Sequence, residues 1–106
     1  MKVLRFHKSV VKDIDSLDVF TKSKLVELFG LLTKGMNLGM PVSRPMPVIA
    51  NGAHELRLKS REGQYRVFYY TKHAEAILIF HAFKKKTQTT PPYELEVARK
   101  RLMELL

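Results

Sequence analysis

The run His54-Glu55-Leu56-Arg57-Leu58-Lys59, the turn Ser60-Arg61-Glu62-Gly63 and the run Gln64-Tyr65-Arg66-Val67-Phe68-Tyr69-Tyr70 decide the fold. The first run alternates apolar with polar side chains, as a strand with one wet face does. The second is rich in aromatic and β-branched residues, which suit a pleated surface. With Ser60 to Gly63 as the loop, Lys59 pairs with Gln64, Leu58 with Tyr65, Arg57 with Arg66 and Leu56 with Val67. Leu56, Leu58, Tyr65, Val67 and Tyr69 then share one face. Glu55, Arg57, Lys59, Gln64, Arg66, Phe68 and Tyr70 share the other. A slip of one residue turns Leu56 and Leu58 onto the arginine side, which their burial forbids.

Working outward, Ala76 to Phe83 is apolar on both faces and reads as an interior strand, entered through the loop Lys72 to Glu75. Upstream, Met36 to Pro47 carries Gly39, Pro41, Pro45 and Pro47, so an extended loop is expected there, with its methionines pinning it to the core. Leu25, Leu28, Phe29 and Leu32 form the apolar stripe of a helix that starts near Asp18, a suitable N-cap, and ends at Gly35. Val10, Val11, Ile14 and Leu17 mark a shorter helix from Lys8 to about Ser16, preceded by a first strand from Lys2 to Phe6. The chain ends in a helix with Thr90 as cap, Pro91 at its first position, and Leu95, Ala98, Leu102 and Leu106 as its buried stripe. The expected architecture is α+β, in the order β-α-α-β-β-β-α. An antiparallel sheet carries the helical hairpin and the terminal helix on one face.

The 106 residues make one domain, 1–106, large enough to fold without staples. There is no cysteine, which excludes a disulfide framework, a thiol nucleophile and a Cys-based zinc site. No apolar run approaches the ~20 residues that span a bilayer, and the N-terminus lacks a signal-peptide pattern. A cytoplasmic domain without membrane contact is expected. The net charge of +9 favours a polyanionic partner. Eight cations against two carboxylates lie between Arg57 and Lys86, so most of that excess falls in less than a third of the chain.

Placement sharpens the charge into a candidate site. Arg57, Lys59 and Arg66 share a face interleaved with Phe68 and Tyr70. Like charges opposed across strands destabilise a sheet, and a polyanion relieves them. Guanidinium forks fit phosphate oxygens and aromatic rings stack unpaired bases. Glu55 or Glu27 can answer some of these cations but not the set. Lys84-Lys85-Lys86 follows the interior strand, and alternation sends Lys84 and Lys86 to one face and Lys85 to the other. Beside an arginine face, the triple is expected to complete a phosphate site. His54 and His81 lie in strands as candidate general bases, although strand histidines are more often structural, and His54 is counted among the RNA-contacting candidates. No set of side chains has metal-ligand spacing, and no phosphate-binding glycine loop or nucleophile elbow is present.

The ordered series His54-Glu55-Leu56-Arg57, Tyr65-Arg66-Val67, Phe83-Lys84-Lys85-Lys86-Thr87-Gln88-Thr89-Thr90-Pro91 and Glu94 to Arg101 resembles the phage-derived HigB-like branch of the RelE/ParE toxin superfamily, over nearly the whole chain. The resemblance implies the toxin of a type II toxin–antitoxin pair. Its partners would be a cognate antitoxin, mRNA and the ribosome. RelE-like members cleave mRNA by attack of a ribose 2′-hydroxyl on the adjacent phosphodiester, with no cofactor or metal. Carried onto this chain, Arg57 would hold the phosphate and Arg66 would stabilise transition-state charge. Lys84 and Lys85 match the basic residues after the last strand, one of them in proton transfer. Lys59 and Lys86 would be secondary contacts. The chain departs from the RelE pattern near its C-terminus: Thr87 to Pro92 stands where that pattern has a tyrosine, and Tyr93 opens a helix. Two other functions stay open, a ParE-like gyrase poison and a non-catalytic basic RNA-binding domain.

Overall fold

A computed structural model describes residues 1–106. Eight elements follow in order: β1 (Val3–Phe6), α1 (Lys8–Asp15), α2 (Val19–Thr33), β2 (Ser43–Pro45), β3 (Ala53–Ser60), β4 (Gly63–Tyr70), β5 (Ala76–Lys85) and α3 (Pro92–Leu105). The strands form one sheet in the order β1-β5-β4-β3-β2. The β3–β4 register pairs Leu56 with Val67, Arg57 with Arg66, Leu58 with Tyr65 and Lys59 with Gln64, as the alternation requires. Burial explains why it cannot slip by one residue. Leu56, Leu58 and Val67 are buried, and each such side chain contributes about 1.5–3 kcal/mol over its exposed state.

Three expectations are corrected. The sheet is mixed, because β1 runs parallel to β5 while the other pairings are antiparallel. The α1–α2 segment follows β1 and separates it from the meander, so no hairpin constrains its direction. The stretch read wholly as loop contains the short strand β2, whose Pro45 is tolerated because the strand lies on the sheet edge. The helices cover both faces. On one, Val10, Leu25, Leu28 and Phe29 of α1 and α2 pack on Leu56, Val67, Ile77 and Ile79. On the other, Ala98 and Leu102 of α3 pack on Phe68, Leu78 and Phe80. A strand as apolar on both sides as β5 needs cover on both sides.

Local signals set the helix ends. The Asp18 carboxylate accepts from the Thr21 backbone N–H at 2.8 Å and caps α2. Gly35, at φ +86°, closes its other end with backbone bonds to Leu32 and, through Met36, to Leu31. α3 begins one residue later than its capping pattern suggests. Pro91 is the cap residue, Pro92 opens the helix, and the Thr90 hydroxyl is buried without a partner. At the far end Leu106 is exposed and Leu105 packs instead. Of the loop methionines, Met46 is buried while Met36 and Met40 are exposed. No helix is long and apolar enough to cross a membrane.

Candidate nucleic-acid interface

The face of β3, β4 and β5 that carries α3 changes character along its length. Beneath α3 it is apolar, with Ala53, Phe68, Leu78 and Phe80. Beyond α3, towards the β3–β4 turn, the same face holds Arg57, Lys59, Gln64, Arg66 and Lys85. Register decides the membership: Arg57 opposes Arg66, Lys59 opposes Gln64, and Gln64 opposes Lys85, and directly opposed residues project to one side of a sheet. Two adjoining open clefts follow, of about 400 and 710 Å³, which share Arg57, Gln64 and Arg66. Pro41, Val42 and Lys59 wall the smaller one. Lys85, Lys86, Thr87 and Gln88 wall the larger.

Arg66 forms the floor. It is 2% exposed. Its Nη2 donates to Gln64 Oε1 at 2.7 Å and its Nη1 to the Tyr65 carbonyl at 3.2 Å. Its Nε lies 3.5 Å from Glu55 Oε1 without hydrogen-bond geometry. Glu55 is fully buried and also accepts from Arg44 Nε at 3.2 Å. Burial lowers the Arg66 pKa, the Glu55 carboxylate opposes that shift, and Arg57 and Arg44 add to it. Glu55 therefore answers the floor and the β2 arginine only. Arg57, Lys59, Lys85 and Lys86 take part in no ion pair, and Glu27 reaches only Lys24, at 4.0 Å. The Arg57 guanidinium touches nothing more polar than Met40 Sδ, at 3.9 Å. The Lys85 pKa is also lowered, first by burial and then by Arg66.

Several sequence-derived candidates stand elsewhere. Lys84 opposes Tyr65 and projects to the α1–α2 side, where it lines a separate cleft of about 420 Å³ with Tyr93, Glu94 and Arg101. Alternation separates it from Lys85, so the expected convergence of Arg57, Arg66 and Lys84 does not occur. Phe68 is fully buried under α3 and offers no stacking surface. Tyr70 is half-buried in the same apolar cluster, at the opposite end of β4 from the cations. His54 lies on the α2 face, its ring stacked on Tyr69 at 5.2 Å, and burial lowers its pKa. His81 is a packing residue: its Nε2 lies 2.8 Å from Glu94 Oε1 and its Nδ1 accepts from Arg101 at 3.0 Å. Sequence reading missed Arg44, and Gln64 as a partner of Arg66. Arg44 was hidden in a proline-rich stretch whose strand pairing has no local period. No three His, Asp or Glu side chains come close enough together to hold a metal ion.

The fold and site define a small mixed α+β protein with a cationic groove at one end of its sheet. The chain belongs to the phage-derived Gp49-like protein family, whose model matches residues 12–103. This is a toxin-like family related to RelE- and HigB-type toxins. No curated protein matches the chain significantly.

Proposed function

We propose that the protein is the toxin of a type II toxin–antitoxin pair and acts as a ribosome-dependent mRNA endonuclease. The observation that carries this reading is the set of four cations without carboxylate partners, Arg57, Lys59, Lys85 and Lys86, around a buried Arg66. Such a groove fits a phosphodiester backbone. The 2′-oxygen attacks the adjacent phosphorus, the bond to the 5′-oxygen breaks, and a cyclic phosphate and a 5′-hydroxyl remain. The proton of the 2′-hydroxyl goes to a base and the leaving oxygen takes one from an acid. Arg57 faces the developing phosphorane charge, and fixed cations at such a position are worth most where water is excluded. Arg66 acts from beneath, holding Gln64 and keeping the floor positive. Lys85, whose neutral form burial and Arg66 favour, is the proton-transfer residue in place of Lys84. The antitoxin of this reading covers the groove with acidic segments.

The test is a cell-free translation reaction with mapping of mRNA 5′ ends. Cuts in codon register that disappear in Arg57→Ala support the endonuclease. Intact mRNA together with gyrase-dependent DNA breaks would make the protein a gyrase poison instead. RNA binding with neither outcome would leave a plain RNA-binding domain.

A further inference from the structure

Phe20 is 81% exposed. It sits in the first turn of α2, where Thr21, Leu25, Leu28, Phe29 and Leu32 make the buried side of the helix and leave Phe20 outside it. Single exposed apolar residues are ordinary, but the surroundings of this one are not. It lines an open cleft of about 580 Å³ with Lys24, Lys59 and Arg61. Lys59 also walls the groove that holds Arg57 and Arg66. The two clefts thus meet at Lys59, on the outer edge of β3, where β2 pairs only with His54, Glu55 and Leu56 and leaves the end near the turn uncovered. Asp18 and Glu62 also line the Phe20 cleft. Asp18 is committed to capping, accepting from the Thr21 backbone N–H at 2.8 Å and the Thr21 hydroxyl at 2.9 Å. The groove has no free aromatic ring of its own, because Phe68 and Tyr70 are drawn into the α3 core.

We propose that Phe20 is a stacking platform for an unpaired base of single-stranded RNA, one whose backbone runs from Arg57 over Lys59 and around the β3 edge. A ring flanked by cations suits a nucleotide, since the π-face takes the base and the ammonium and guanidinium groups take its phosphates. The proposal rests on the reading of the groove as an RNA site and adds to it a position that binds a base outside the reacting linkage. It gives affinity with little sequence preference, because every base has a π-face.

The experiment titrates the full chain with short single-stranded RNAs that carry 2-aminopurine at one position each. Wild-type protein quenches the probe at one position, and Phe20→Ala abolishes that quench. Binding weakens by about 5- to 150-fold, the size of one lost base–aromatic stack, with the salt dependence unchanged. Phe20→Trp restores both quench and affinity, which excludes a folding effect. If Phe20→Ala binds like wild type while Arg57→Ala does not, the stacking proposal is overturned and the groove reading stands. If wild-type protein binds no RNA, both fall. Loss of affinity for the antitoxin with RNA binding intact would make Phe20 a protein-docking residue and also overturn the proposal.

Discussion

Arg57 and Arg66 stand directly opposite each other across β3 and β4, one with its guanidinium free and the other buried against Glu55. Opposed like charges cost a sheet some tenths to about 1 kcal/mol. A site that binds a polyanion carries that cost when empty and is relieved when filled. Arg57→Gln is therefore expected to leave stability unchanged or raise it by up to about 1 kcal/mol. Cleavage is expected to fall about 100- to 1,000-fold. Urea unfolding and mRNA-end mapping measure the two effects. A loss of stability together with retained cleavage would contradict the assignment.

Glu55 behaves in the opposite way. It is fully buried between Arg44 and Arg66, so removing it strands a buried guanidinium. Glu55→Ala is expected to cost about 3–5 kcal/mol, read from the denaturant midpoint. Adding Arg66→Met should recover much of the loss, because the unpaired charge goes with it.

The two lysines after Phe83 separate by face. Lys85→Met is expected to remove most cleavage and Lys84→Met little of it, since only Lys85 shares the groove with Arg57. With Lys85 as base, the rate in wild type rises with pH through the lysine's lowered pKa. Lys85→Arg should lose that rise, because arginine keeps its proton.

Salt gives an independent reading of the groove. Each phosphate contact with single-stranded RNA contributes about 0.7 to the slope of log affinity against log salt. Replacing Arg57, Lys59 or Lys86 by a neutral residue should reduce the slope by about that amount, whereas Phe20→Ala should not change it.

Stability should fall on mild acidification. Burial lowers the His81 pKa and Arg101 adds to that shift, while the Glu94 hydrogen bond and the charges of Glu94 and Asp13 oppose it. The geometry agrees: Nδ1 accepts from Arg101, which a protonated ring cannot do. Burial shifts His54 the same way. As pH falls through the ordinary value of 6.5, the unfolded chain takes up protons that the folded one refuses, so stability is present above that pH and drains below it. Unfolding midpoints between pH 8 and pH 5 check the sign, and the slope should be shallower in His81→Gln.

Much of the scaffold was legible because its signals are local. Alternation in Leu56, Arg57 and Leu58 assigned sides, the loop taken from Ser60 to Gly63 gave the register that the strands adopt, and Asp18 and Gly35 marked the ends of α2 by capping and by a left-handed backbone. The candidate site was legible only in outline. The same alternation that grouped Arg57, Lys59 and Arg66 also grouped Phe68 and Tyr70 with them, and nothing local says that α3 covers one half of that face and not the other.

The sequence by itself determined which side chains of β3 and β4 share a side of the sheet, because an unbroken pleat has a period of two. Only the tertiary structure decided which of them water can reach. α3 lies over Phe68, Glu55 lies against Arg66, and β2 stops short of Lys59. Each of those facts depends on residues far apart in the chain meeting in space, which no local period encodes.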